Sequence, residues 1–144
     1  MKTETLPTLA ITMGDPAGTG PELLTRALVM PEVLSLCRPV VVGDAEVLSR
    51  ARTYTGCLAA VQVVRDFGEA DPAIDRLSVL DLKNVNLGDL KLGQVSPMAG
   101  EAAYQYIRAA AEAALAGRVS GIVTSAINKD ALNQAGHHFD GHTG

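Results

Sequence analysis

Two observations predict an α/β fold in which a mostly parallel sheet is flanked by helices. Short apolar runs rich in β-branched residues alternate with segments of helical character along the chain, and this alternation is typical of parallel sheets. The length of 144 residues, with 47% hydrophobic and 19% charged residues, suits one globular domain with a sizeable core.

Five apolar runs, each followed by glycine, an acidic residue or another break in the pattern, are predicted to be strands. They span residues 9–13 (LAITM), 39–43 (PVVVG), 60–64 (AVQVV), 77–82 (LSVLDL) and 121–124 (GIVT). The last run is predicted to be a buried strand, because three of its four residues are apolar or β-branched.

Helices are predicted where start and stop signals enclose segments of helical character. Four are expected, at residues 21–30, 45–54, 97–116 and 128–135. The third is the clearest, because Ser96 and Pro97 open it, Gly117 ends it, and apolar residues recur at 103, 107, 110 and 114. Residues 84–95 lack a sustained period and are predicted to form a loop or an irregular edge ribbon without an obvious core face.

Composition and charge exclude several classes of function. The net charge is -4 and the pI about 5.3, without a cluster of basic residues, which disfavours nucleic acid as a partner. The apolar run at 109–116 is interrupted by Glu112 and is far shorter than the roughly 20 residues of a membrane span. Cys37 and Cys57 lack CxxC spacing and no signal peptide precedes them, which favours a reducing cytoplasm.

The segment GDPAGTG at 14–20 is a candidate ligand loop, with Gly14, Asp15, Gly18 and Gly20 as possible cleft residues. It lies between a predicted strand and a predicted helix, where free backbone N–H groups favour phosphate or carboxylate. It lacks the Lys-Ser/Thr of a Walker A loop and the third glycine of the dinucleotide fingerprint. A tight structural turn that feeds a helix is the alternative interpretation.

The stretch 121–144 carries all three histidines of the chain, at 137, 138 and 142. Their spacing does not match known zinc motifs, and adjacent histidines do not easily converge on one ion, so no metal site is predicted among them. Lys129, at the start of the predicted helix, either contacts an anionic substrate or is simply solvated.

Four motifs carry a resemblance to a known family. They are GDPAGTGPE at 14–22, VVGD at 41–44, the INK of TSAINK at 124–129 and AGHHFDGHT at 135–143. With these motifs the chain resembles, over nearly all its length, the amino-terminal half of the 4-hydroxythreonine-4-phosphate dehydrogenase family, including relatives that act on D-threonate or D-erythronate 4-phosphate. Two departures are Ser125-Ala126, where the family usually has Ala-Pro, and Gly144, where it commonly has Glu.

The resemblance implies a two-domain architecture like that of isocitrate and isopropylmalate dehydrogenases, with residues 1–144 as the amino-terminal part. It implies NAD-dependent (or NADP-dependent) oxidation, with decarboxylation to follow, of a phosphorylated hydroxy acid such as 4-phosphohydroxy-L-threonine, in pyridoxine biosynthesis. It further implies a divalent metal (zinc, magnesium, manganese or cobalt) with ligands beyond Gly144, and a homodimer for which residues 84–95 are a candidate contact. His142 and Thr143 match the family's substrate-binding pair.

Two hypotheses follow from these observations. In the first, the complete polypeptide is a dehydrogenase and these 144 residues alone are inactive. In the second, the chain is a non-catalytic phosphometabolite-binding or assembly module. Both predict that His142 and Thr143 share a pocket with the 14–20 loop, because each segment follows a strand end on one edge of a parallel sheet. The catalytic residues stay unassigned.

Overall fold

A computed structural model describes residues 6–138, which contain one parallel five-stranded sheet. The strands are β1 (Thr8–Thr12), β2 (Arg38–Gly43), β3 (Ala60–Val64), β4 (Arg76–Asp81) and β5 (Gly121–Thr124). Their order across the sheet is β3-β4-β2-β1-β5, and every neighbouring pair is parallel. The predicted α/β fold is therefore confirmed, with β4, β2 and β1 in the interior of the described sheet.

The connections between strands contain helices, as the alternating pattern predicts. These are α1 (Gly20–Ala27), α2 (Pro31–Leu34), α3 (Ala45–Thr55), α4 (Pro97–Leu115) and α5 (Lys129–Gln134), with 3-10 turns at Phe67–Glu69 and Leu87–Asp89. Asp44 caps α3 by accepting hydrogen bonds from the backbone N–H groups of Glu46 (2.9 Å) and Val47 (3.1 Å). Ser96 caps α4 in the same way through Ala99, at 3.1 Å.

The helix predicted to run to Met30 ends earlier than expected. It stops at Ala27, and a separate single turn, α2, begins at Pro31. Met30 is extended, with φ -74° and ψ 130°, because the proline ring disfavours helical backbone in the residue before it. The proline was visible in the sequence, so the break was predictable.

The face that α4 turns to the sheet differs slightly from the predicted one. Ala103 and Ala110 are buried as expected, but Ile107 and Ala114 are only half-buried, and Tyr106 is completely buried instead. The Tyr106 hydroxyl donates a hydrogen bond to Asn84 Oδ1 at 2.8 Å, so the ring enters the core without leaving a polar group unsatisfied. Burial raises the pKa of Tyr106, and the hydroxyl stays protonated.

The prediction that residues 121–124 form a buried strand is wrong as to burial. The strand exists, but β5 lies at the edge of the sheet, and Ile122 and Val123 are 39% and 47% exposed. Central and edge strands can share the same β-branched composition, so composition alone does not separate the two positions.

Residues 84–95 form a loop around a 3-10 turn, as predicted, but part of this loop does have a core face. Val85 and Leu90 are buried in the core, whereas Leu92 and Val95 are 45% and 39% exposed. No helix within residues 6–138 is long and apolar enough to cross a membrane.

Candidate functional site

A polar cleft lies at the carboxyl ends of β1 and β5, where the two loops singled out in the sequence meet. The strands are adjacent and in register, with Thr12 opposite Thr124. Beyond them, the backbone N–H of Asp15 donates to the carbonyl oxygen of Ala126 at 3.0 Å. The N–H of Ser125 donates to Thr12 Oγ1 at 3.3 Å. Both segments therefore reach the same edge of the sheet, as predicted.

Two glycines allow the loops to approach this closely. Gly14 has φ +77°, and a Cβ atom there would lie 2.4 Å from the carbonyl oxygen of Ala126. A Cβ at Gly20 would lie 2.4 Å from the carbonyl oxygen of Met13 and 3.2 Å from Ser125 Cβ. Any larger residue would force the backbones apart, so these glycines set the shape of the loops.

The cleft holds a cavity of about 230 Å³. Its lining comes from three separate segments of the chain and consists of Asp15, Ala17, Gly18, Thr19, Gly93, Gln94, Ala126, Ile127 and Asn128. The third segment is fixed in place because the Gly93 N–H donates to the Ala17 carbonyl oxygen at 2.8 Å. Nothing in the sequence pattern points to Gly93 or Gln94, since their place in the wall depends on a tertiary contact.

Among the described residues that line the cavity, Asp15 has the only titratable side chain. It is 6% exposed, and its Oδ1 accepts a hydrogen bond from the Ala17 N–H at 2.7 Å. Burial raises the pKa of Asp15, and the hydrogen bond from Ala17 opposes that shift in part. A buried carboxyl beside hydroxyl and amide side chains suits a ligand that offers hydrogen-bond donors.

The other predicted site residues occupy different positions. Gly18 lines the cavity together with Asp15, whereas Gly14 and Gly20 pack behind it against Ser125. Lys129 is exposed at the first position of α5 and does not line the cavity. His142 and Thr143 lie outside the described residues.

His137 and His138, which follow α5, contact different partners. His137 Nε2 lies 2.7 Å from Glu101 Oε1, and its ring stacks on Tyr104 with centroids 3.7 Å apart. His138 Nδ1 lies 3.2 Å from Asn133 Oδ1. Across residues 6–138, no group of three or more His, Cys, Asp or Glu side chains is arranged to hold a metal ion.

The fold and the cleft define an α/β protein with a polar cleft at the carboxyl edge of a parallel sheet, the position where ligands bind in open α/β sheets. Comparison with known proteins makes this class more specific. Residues 35–144 match the family model described as pyridoxal phosphate biosynthetic protein PdxA. The chain belongs to this family, and the resemblance inferred from its four motifs is confirmed.

Relatives within the family support the same assignment. The chain is 43% identical over 140 residues to a protein of Symbiobacterium thermophilum that is provisionally named D-threonate 4-phosphate dehydrogenase, covering 97% of this chain and 42% of the relative. It is 41% identical over 138 residues to a 4-hydroxythreonine-4-phosphate dehydrogenase of Trichlorobacter lovleyi, covering 95% of this chain and 41% of the relative.

A solved structure agrees closely with the fold. The crystal structure of a 4-hydroxythreonine-4-phosphate dehydrogenase from Burkholderia phymatum matches with a TM-score of 0.93 and 41% identity, covering 97% of this chain and 42% of that protein. The chain thus spans about two fifths of the length of the proteins it matches.

Proposed function

We propose that residues 1–144 are the amino-terminal part of an NAD-dependent dehydrogenase that oxidises the secondary alcohol of a phosphorylated hydroxy acid, with decarboxylation to follow. The substrate class comes from the names of the relatives, one a 4-hydroxythreonine-4-phosphate dehydrogenase and one provisionally a D-threonate 4-phosphate dehydrogenase. The observation that carries the proposal is the joining of the 14–20 loop and the segment after β5 around one polar cavity.

The chemistry of the cavity limits which part of such a substrate it can hold. Thr19, Gln94 and Asn128 offer hydroxyl and amide groups that donate hydrogen bonds to oxygen atoms. The Asp15 carboxyl accepts hydrogen bonds from a hydroxyl or ammonium group and, when ionised, repels a phosphate group, so in this proposal a hydroxyl or ammonium group of the ligand lies beside it. In this proposal His142 and Thr143 bind the phosphate or carboxylate of the substrate at another part of the same pocket.

Cofactor and metal enter the proposal only as expectations. Bound NAD or NADP would accept the hydride, and a divalent metal would polarise the alcohol oxygen. The residues that the structure describes provide no ligand set for a metal, and the 14–20 loop lacks the dinucleotide fingerprint. In this proposal the described residues of the cleft bind and orient the substrate. The ligands for the metal are expected beyond Gly144.

The first test is made on the complete polypeptide. His142→Ala and Thr143→Ala are each expected to reduce kcat/KM by about 10-fold to 100-fold, the usual cost of losing a hydrogen bond to a charged group. NADH formation is followed with 4-phosphohydroxy-L-threonine and with D-threonate 4-phosphate. His138→Ala is the matched control, because His138 is exposed and bonds to Asn133. Wild-type kinetics in both site variants would refute the substrate assignment.

The second test uses the 144-residue chain alone. It is expected to bind no catalytic metal tightly and to produce no NADH, because the metal ligands and the cofactor site are expected outside it. Calorimetry with magnesium, zinc or manganese and an absorbance assay with NAD measure the two properties. Metal-dependent turnover near that of the complete enzyme would show that the catalytic residues lie within 1–144.

The alternative function is a non-catalytic phosphometabolite-binding or assembly module. The names of the relatives favour the enzyme, and an assay of the complete polypeptide decides between the two. We further propose a cytoplasmic homodimer. Leu92 and Val95 are the exposed apolar residues of the 84–95 loop that are available for a subunit contact. A monomer by light scattering at micromolar concentration would contradict the dimer.

A further inference from the structure

We propose that Asp15 and Asn128 form a donor–acceptor pair in the cavity that selects a hydroxyl group of the substrate and discriminates against an ammonium group at the same place. This inference rests on the proposed function, which leaves the group beside Asp15 open between those two. It is carried by the hydrogen bonds that each side chain already makes, because these determine which atom is left for a ligand.

Asp15 offers one carboxylate oxygen to a ligand. The residue lines the cavity and is 6% exposed, and its Oδ1 accepts from the Ala17 N–H at 2.7 Å. Oδ2 has no hydrogen-bond partner among the described residues. A buried carboxylate oxygen without a partner is costly, and an ionised carboxylate can only accept hydrogen bonds. A ligand group that donates to Oδ2 therefore offsets this cost.

Asn128 offers the opposite kind of group. Its Oδ1 accepts from the Ala131 N–H at 3.0 Å and so caps α5. A backbone N–H can only donate, so this contact fixes which end of the amide is the oxygen. The residue also lines the cavity, and Nδ2 is the side-chain atom left for a ligand. An amide NH2 group can only donate, so Asn128 requires an acceptor.

The two side chains belong to loops that are bonded to each other. The Asp15 N–H donates to the Ala126 carbonyl oxygen at 3.0 Å, and Ala126 is two positions before Asn128. The other polar side chains of the described lining, Thr19 and Gln94, are exposed and can present either a donor or an acceptor. The choice of ligand group therefore depends on Asp15 and Asn128.

A hydroxyl group satisfies both members of the pair at once. It donates its hydrogen to Asp15 Oδ2 and accepts from Asn128 Nδ2 through its oxygen. An ammonium group has three donors and no acceptor, so it satisfies Asp15 but leaves Asn128 facing a cation. A phosphate or carboxylate group accepts from Asn128 but is repelled by ionised Asp15. The pair therefore fits the hydroxylated carbon chain of a sugar acid such as D-threonate 4-phosphate.

The test exchanges carboxylate and amide on the complete polypeptide. Asp15→Asn keeps Oδ1 for the Ala17 N–H but replaces the accepting Oδ2 by a donor. Asn128→Asp keeps the cap of α5 but replaces the donating Nδ2 by an acceptor. Each single change is expected to raise KM for the substrate about 10-fold, with KM for NAD unchanged. The double variant again has one donor and one acceptor, so its KM should return to within about threefold of wild type.

Two exchanges of the same kind outside the cavity are the matched controls. Asp66→Asn and Asn86→Asp change exposed side chains whose Oδ1 accepts from the N–H of Gly68, at 2.7 Å, and of Gly88, at 3.0 Å. Both should leave KM and kcat at wild-type values, because the local hydrogen bond is kept and the cavity is untouched. A rise in KM in the controls equal to that in the single cavity variants would overturn the inference.

The kinetics are followed through NADH formation with D-threonate 4-phosphate and 4-phosphohydroxy-L-threonine, and the pattern is required with the substrate that wild type oxidises more efficiently. If Asn128→Asp lowers KM while Asp15→Asn raises it, the bound group is an ammonium and the inference is overturned. Single losses without recovery in the double variant would overturn it as well.

Failure of this inference is distinct from failure of the proposed function. If wild type oxidises a substrate and both single variants match it, the donor–acceptor pair is overturned and the proposed function stands. If wild type forms no NADH with either substrate, the proposed function fails and this inference fails with it.

Discussion

The two strands that support the cleft are neighbours with similar sequences and very different surroundings. Ile11 of β1 is opposite Val123 of β5 in the parallel register, yet Ile11 is 5% exposed and Val123 47%. β1 lies between β2 and β5, whereas within residues 6–138 β5 has a paired strand on one side only. One wall of the cleft therefore lies next to the core and the other next to the edge strand of the described sheet.

The loops beyond these strands show the same difference. Asp15, after β1, is buried and fastened by backbone hydrogen bonds, whereas Ala126 and Lys129, after β5, are exposed. The two walls of the cleft thus differ in burial, since the 14–20 loop is fixed against the core and the segment after β5 is exposed. Edge strands with exposed apolar residues commonly acquire a partner.

The largest expected effect compares the same substitution on the two strands. Ile11→Ala should lower the free energy of unfolding by about 2–5 kcal/mol, because it leaves a cavity in the core. Ile122→Ala, at a position 39% exposed, should lower it by about 1 kcal/mol or less. Urea denaturation of the purified 144-residue chain measures both values. Equal losses of unfolding free energy in the two variants would mean that β5 is covered in solution. The two strands would then not differ in burial.

A smaller effect tests the contact between the two loops. Gly14→Ala should cost about 1–2 kcal/mol for the left-handed backbone and more for the collision with Ala126. Gly117→Ala is the matched control, because Gly117 has nearly the same φ, +76°, and a Cβ atom there would meet no described atom within 4 Å. The difference between the two losses of unfolding free energy measures the closeness of the loops. Equal losses would indicate that the loops separate readily.

The smallest effect concerns the buried carboxyl of Asp15 and appears as a dependence on pH. Because burial raises its pKa above the ordinary 3.8, the protonated form is favoured in the folded state, and this contribution is lost as pH rises through the folded pKa. Asp15→Asn has no carboxyl to ionise, so it does not lose stability as pH rises. The free energy of unfolding of this variant relative to wild type should therefore be greater at pH 7 than below pH 3.8. Asp130→Asn, at an exposed carboxylate of α5, controls for the change in net charge. A pH-independent difference would contradict the burial effect.

Local signals in the sequence were sufficient to predict most elements. The run at 60–64 is a strand with the predicted bounds, and Ser96, Pro97 and Gly117 bound α4 as expected. These features depend on neighbours in the sequence, which is why pattern and propensity identify them.

Features that depend on tertiary structure could not be predicted from the sequence pattern. The edge position of β5 follows from strand order, which composition does not encode. The place of Gln94 in the cavity wall depends on the contact between Gly93 and Ala17, and the hydrogen bond between Glu101 and His137 depends on the packing of α4 against α5. The 14–20 loop and the segment after β5 were predictable as neighbours, because both follow strand ends at one edge of the sheet, but the third wall at Gly93 and Gln94 was not.

The hydrogen bond between Ser125 and Thr12 joins positions 113 apart in the chain, which has a consequence for the order of folding. During synthesis β1 is made first and can pair early with β2, but its other edge has no neighbour until β5 has left the ribosome. Contacts between such distant segments form late, because the chain loses entropy on closing the loop before the new contacts stabilise the structure. A nascent chain that stops short of β5 therefore has most of the sheet but lacks one wall of the cleft, which is completed only when β5 pairs with β1.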